Sequence, residues 1–275
     1  MPTFPSHSLR TLPPSTHTEL VGGLERDIPP KLISAPPAAA AATSLIESDL
    51  SIALLHDERP LVKRALGALV DASVIVWTTS ARRGPVSFIF DGRSYSAQAG
   101  PLHWTATDSY WVNGALRALT IRRQDALSAA LSFPPELLNG ASNAISDEWR
   151  FALFEALRSL LLGEPDVTGE RITRAKQLTN PAIATVGGPR YARRALSELE
   201  MMEAIVARDQ SAFTRASWRA LEAHRALFGR GRERNYSGCF FAFRVVGLAA
   251  LAFDLGLQWE IDCAYTPRWL VEGRV

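Results

Sequence analysis

Apolar positions along this chain recur mostly at intervals of three and four, the period of an amphipathic helix. Leu20, Val21, Leu24 and Ile28 follow that spacing ahead of Pro29-Pro30, where a short helix is expected to end. Ala38–Ala42 runs into Leu45, Ile46, Leu50, Ile52, Leu54 and Leu55, predicting helix over about 38–56. Pro60 suits the first turn of the next helix. Its apolar face of Leu61, Leu66, Leu69, Val70, Val74, Ile75 and Trp77 continues to the break at Arg82-Arg83-Gly84-Pro85.

One stretch changes period. Val86, Phe88 and Phe90 alternate with neighbours, Asp91-Gly92 follows, and Arg93–Ser96 resumes. An Asp-Gly pair between β-prone runs specifies a tight hairpin, so one β-hairpin is predicted near residues 86–98. Helical spacing then returns, with Asp108 as candidate cap, and predicts helices near 108–121, 124–131, 147–161, 167–178, 190–207 and 209–227. Between them stand Pro134-Pro135, Gly163-Glu164-Pro165, Asn180-Pro181 and Gly187-Gly188-Pro189. The last run, Gly238 to Asp254, is apolar on almost every side, the pattern of a helix packed on all faces. Arg244 and Asp254 interrupt it and its length falls short of a bilayer, which argues against a membrane span.

Similar short segments join several of these helices. Leu54–Leu61, Ala118–Leu127, Leu161–Pro165 and Ala204–Phe213 each read as helix, tight polar turn, helix, at irregular intervals. The fold class is therefore all-α: stacked antiparallel helix pairs around an apolar C-terminal helix, with the hairpin as a local addition. Residues 1–16, rich in proline and poor in large apolar side chains, read as a loosely attached tail ahead of a single domain over 17–275.

Composition narrows the function classes. The chain has 275 residues, 47% hydrophobic and 21% charged, with a net charge of +2, which does not suggest a nucleic-acid surface. Lysine occurs only at 31, 63 and 176, a bias toward arginine that points to a GC-rich bacterial genome. Cys239 and Cys263 sit in apolar surroundings and read as buried thiols in a reducing compartment. No secretory h-region is visible near the N-terminus, so a cytoplasmic location is expected.

Candidate chemistry is sparse. Phosphate loops, dinucleotide fingerprints, nucleophile elbows and zinc motifs are missing from the sequence, and no metal or cofactor is implied. His7 and His17 lie in or beside the tail, His56 in a turn, and His103 in a loop. Glu198, Glu200 and Glu203 share a helix and read as a solvated face, with Arg190, Arg193 and Arg194 as their surface partners or, alternatively, as an anion site near the helix start. An all-α small-molecule enzyme would use Glu198, Glu203 or His224 as acid or base. A helical scaffold that binds peptides is another class. Aromatic and arginine residues suit a binding module better: Trp104, Tyr110 and Trp111 near the hairpin, and His224, Arg230, Arg232 and Tyr236 around the charged loop.

The C-terminal sequence resembles the immunity protein 49 family of bacterial polymorphic-toxin systems. The matching pieces are Gly247–Ala252, Asp254-Leu255-Gly256-Leu257, Glu260-Ile261-Asp262 and Tyr265-Thr266-Pro267-Arg268-Trp269-Leu270. Upstream, Phe90–Arg93, Tyr110–Leu119 with Arg122-Arg123, and Leu221–Arg225 are similar to further parts of that family, over about residues 18–272. The segment after His224 departs from it: Phe228 and an arginine-rich loop stand in place of an aromatic pair. The resemblance implies a non-enzymatic protein that binds a cognate toxin domain and occludes it. Tyr265, Pro267, Trp269 and Leu270 then read as a structural anchor, and Trp269→Ala would cost on the order of 3 kcal/mol by cavity formation.

Overall fold

The computed structural model describes residues 2–5, 22–36, 39–100, 102, 105–140, 146–184, 188–229 and 239–274. Their contacts fall into two compact units. One comprises Met1–Leu9 with Ile145–Arg274; the other comprises Arg10–Ala144 with Val275. The chain is mostly helical, with a single two-stranded antiparallel sheet among the described residues.

In the Arg10–Ala144 unit a π-helical segment, Gly23–Asp27, precedes α1 (Pro29–Ser34), α2 (Ala39–Leu55) and α3 (Arg59–Ser80). The π-helical segment ends at its cap Ile28, just ahead of Pro29-Pro30 as expected, and the two prolines also open α1. Their missing N–H groups cost nothing in a first turn. Next come β1 (Gly84–Phe90), β2 (Arg93–Ala99), α4 (Asp108–Thr120) and α5 (Gln124–Ser132). Helix α3 packs against α2, α4, α5 and β1 and forms the centre of this unit. Thr107, not Asp108, caps α4: its hydroxyl accepts from the Tyr110 N–H at 3.2 Å.

The hairpin is as the alternation predicts. Phe90 pairs with Arg93 across Asp91 (φ 49°) and Gly92 (φ 76°), the two positive dihedrals of a type I′ turn. Val86, Phe88 and Phe90 are buried and Ser87 and Ile89 exposed. The turn is tied to α3: Asp71 accepts from the Asp91 N–H at 3.0 Å, and Arg64 donates to the Asp91 carboxylate at 2.6 Å and to Glu25 at 3.1 Å.

The Ile145–Arg274 unit contains α6 (Glu148–Leu162), α7 (Pro165–Leu178), α8 (Gly188–Ala207), α9 (Gln210–Phe228), α10 (Phe243–Asp254) and α11 (Arg268–Val271). Helix α8 packs against α6, α7, α9 and α10. Arg244 through Ala250 of α10 are all buried, and α8, α9 and α11 surround it. The helix begins at Phe243 rather than Gly238. The Ala242 N–H donates instead to the Tyr265 carbonyl at 3.0 Å, which ties the residue before the helix to the C-terminal segment.

The four similar turns share one hydrogen-bonding scheme. Asp57, Arg122, Gly163 and Arg208 all have left-handed backbones, with φ of 52°, 56°, 72° and 54°. The N–H of each bonds back three residues and that of its successor bonds back five: Glu58 to Ala53, Arg123 to Ala118, Glu164 to Ser159, Asp209 to Ala204. These are Schellman closures. The successor is also the N-cap of the next helix. Two residues thus both end one helix and start another, twice in each unit.

The N-terminal residues differ from the loose tail expected. Thr3 forms a parallel bridge with Asp262, and the Phe4 N–H donates to the Asp262 carbonyl at 2.8 Å. Phe4 is buried edge-on against Trp218, 5.0 Å between ring centroids. One large aromatic side chain supplies the apolar area that the flanking prolines lack. The remainder of the expected tail, from residue 6 on, lies outside the described residues.

Candidate functional site

The helix face that carries Glu198, Glu200 and Glu203 is not uniformly solvated. Glu200 pairs with Arg219 at 2.9 Å and Glu203 with Lys176 at 2.5 Å, both on the exposed side. Glu198 points inward and its side chain is only 2% exposed. Arg194, one turn earlier, places Nε 3.2 Å from Glu198 Oε1, and Arg244, in the first turn of α10, places Nη2 3.2 Å from Oε2. Sequence spacing shows the Arg194–Glu198 pair but not Arg244, which arrives from another helix 46 positions later by the residue numbers.

This Arg–Glu–Arg cluster lines a small cavity of about 30 Å³ with His224, Phe228 and Phe241. His224 is buried, and its Nε2 lies 3.3 Å from the Cys239 carbonyl, which fixes the Nε2–H tautomer as donor. Its ring packs 4.8 Å from Phe228 and 4.9 Å from Tyr265. The Arg194 guanidinium lies 5.2 Å from the Tyr191 ring centroid, within cation–π range. Glu198 and His224, two of the three acid–base candidates, therefore share a cavity; Glu203 belongs to a separate surface pair. The space is an order of magnitude below the roughly 300 Å³ at which small-molecule sites begin.

The other candidate binding residues have different surroundings. Trp111 is fully buried and donates from Nε1 to the Ala130 carbonyl at 2.8 Å. The Tyr110 hydroxyl is buried, and loss of solvation pushes its pKa up to about 12. Neither side chain presents its polar atom to solvent. Trp104, Arg230, Arg232 and Tyr236 lie outside the described residues. At the C-terminus, Tyr265 and Leu270 are fully buried and Pro267 caps α11. Trp269 is only half-buried, so its truncation empties less of the core than a fully buried tryptophan would.

Among the described residues no group of histidine, cysteine, aspartate and glutamate could hold a metal ion, and no helix is long and apolar enough to cross a membrane. The chain matches the family model for immunity protein 49 over residues 40–270. The chain belongs to the immunity protein 49 family. No curated protein and no solved structure matches it. The family span takes in the hairpin and both units' Schellman turns, as well as the Arg194–Glu198–Arg244 cluster.

Proposed function

We propose that this protein is a cytoplasmic, non-enzymatic immunity protein that binds a cognate secreted bacterial toxin domain and neutralises it by occlusion. The observation that carries this reading is membership of the immunity protein 49 family over most of the chain. The cavity chemistry supports the non-enzymatic part. Its volume suits a side-chain tip, and the His224 Nε2–H is engaged with a backbone carbonyl. No metal or cofactor is required.

The toxin-contacting segments we propose are the hairpin in one unit and, considered by itself, the arginine-rich segment after α9 in the other. Ile89, on the hairpin's outward face, is 59% exposed, an apolar side chain that a partner can cover. Trp104, Arg230, Arg232 and Tyr236 are the proposed direct contacts, while the Tyr110 hydroxyl, Trp111 and His224 are buried within their own units. The working part of the chain in this reading is a single domain over 17–275, with Thr3 and Phe4 held against Asp262.

The test is co-expression with the toxin domain encoded beside this gene, scored by cell survival and co-purification. Survival with a stable complex is the expected result. Failure to bind or neutralise that domain refutes the proposal. Rescue without a complex would favour action on the toxin's product or target, the enzymatic alternative. Within a stable complex, the double substitution Arg230→Glu with Arg232→Glu should weaken binding; unchanged affinity removes that segment from the interface.

A further inference from the structure

The cavity at the Arg194–Glu198–Arg244 cluster has an unmet set of hydrogen bonds. Glu198 is within ion-pair distance of both guanidinium groups, yet neither of its buried oxygens accepts an aligned hydrogen bond, and Arg194 Nε donates none. Buried polar atoms are expensive to leave in that state, and the low dielectric raises the penalty. The inventory is the two Glu198 oxygens and the Arg194 Nε–H, in residues that line the same small space, with the Arg244 guanidinium beside them.

Four classes of side-chain tip can be compared against it. A carboxylate is attracted by the two arginines but has no proton to give to the Glu198 oxygens and meets that charge. An ammonium or guanidinium has no acceptor and meets two arginines. An apolar tip leaves every one of the three atoms unsatisfied. A primary carboxamide offers two N–H donors and one carbonyl acceptor, which is the complement of the inventory. A cavity of about 30 Å³ admits such a tip and excludes a metabolite. We infer that this cavity is a docking subsite for a side-chain carboxamide, the tip of an asparagine or glutamine of a partner polypeptide. The N–H₂ group donates to Glu198 and the carbonyl accepts from Arg194 Nε. That the partner is the toxin domain rests on the immunity reading; the amide selectivity of the cavity does not.

Water carries the same donor and acceptor types, so the experiment separates a cavity that selects amides from one that holds solvent only. The arginine Nε–Hε resonances of the full chain are followed by NMR during titration with acetamide, and in parallel with acetate and methylammonium. The expected result is a saturable shift of the Arg194 Nε–Hε signal with acetamide, at least about ten-fold tighter than with either charged probe. Glu198→Gln should let acetate compete and reduce the preference about ten-fold. Arg194→Lys keeps the charge but lacks the Nε–H; it should weaken acetamide about ten-fold, read from the remaining cavity resonances, and it carries the test should Glu198→Gln fail to fold. Linear, equal responses to all three probes mean solvent only and overturn the inference, as does tighter binding of acetate or an unchanged acetamide affinity in Arg194→Lys. Amide selectivity without toxin rescue would sink the immunity reading and leave the subsite standing; rescue without selectivity would do the reverse.

Discussion

Replacing Gly114 by alanine should destabilise the protein even though alanine is the better helix former. Gly114 lies in α4 where that helix meets α3. A Cβ built there would stand 2.6 Å from Cζ2 of Trp77 and 2.8 Å from both Cβ and Oγ of Ser73. Trp77 and Ser73 are themselves buried, and the Ser73 hydroxyl is fixed by the Leu69 carbonyl at 3.0 Å. The two helices must therefore separate or the tryptophan must leave its rotamer. Overpacking of this kind costs up to about 3 kcal/mol. The gain in helix propensity returns about 1 kcal/mol, leaving a net loss of about 2 kcal/mol. Gly67 in α3 supplies the control, because a Cβ there meets nothing within 4 Å. Gly67→Ala should stabilise by roughly 0.5–1 kcal/mol. The assay is urea denaturation of the wild type and both variants, followed by far-UV circular dichroism. Trp77→Phe, which shortens the ring, should recover part of the Gly114→Ala loss in the double variant, with a coupling above about 0.5 kcal/mol. If Gly114→Ala is as stable as the wild type, or if the two alanine variants shift together, close helix approach is not what requires a glycine at this position.

Other substitutions test the remaining structural claims. At the left-handed turn positions, Gly163→Ala should cost about 1 kcal/mol from backbone strain alone, since no atom lies near the added methyl. The reverse change Asp57→Gly should stabilise by about 0.5–1 kcal/mol on denaturation, and equal stability would show that the strain is relieved elsewhere. Glu198→Ala strands two buried guanidinium groups and should cost about 3–5 kcal/mol, whereas apolar replacement of all three cluster residues should be close to neutral; comparable losses would disprove the account of the triad. Leu270→Ala should cost about 2–5 kcal/mol and more than a comparable truncation at half-buried Trp269; the opposite order would contradict this packing. Burial holds the Asp71 carboxyl above its ordinary value of 3.8 despite Arg123. A raised folded-state pKa contributes stability below the unfolded value, and that contribution fades as pH climbs through the folded one. The stability advantage of the wild type over Asp71→Asn should therefore shrink as pH rises from about 3.8, and a widening gap in pH-dependent melts would reverse the assignment.

Local chemistry accounts for what the sequence determined unaided. Threefold and fourfold apolar spacing set the helices, because each must bury one stripe, and Asp91-Gly92 set the hairpin through its two positive dihedrals. The similar segments at 57, 122, 163 and 208 showed where helices turn back. The common Schellman closure became visible only in the hydrogen bonds, since three of the four left-handed positions carry aspartate or arginine rather than glycine. Family resemblance was also legible, in the Tyr265–Leu270 ending above all. Tertiary structure decided the rest. Glu198 looked like a surface carboxylate among others until Arg244 closed on it from α10, because the burial of a charge depends on a partner remote in sequence. Pro29-Pro30 stand where the first helical segment stops, as their sequence reads, and also start the next helix, since proline is compatible with a first helical turn but not with an interior one. Phe4, in a stretch with the composition of a loose tail, is held by Asp262 and Trp218. Composition measures how much apolar surface a segment has, and only the fold provides a place to bury it.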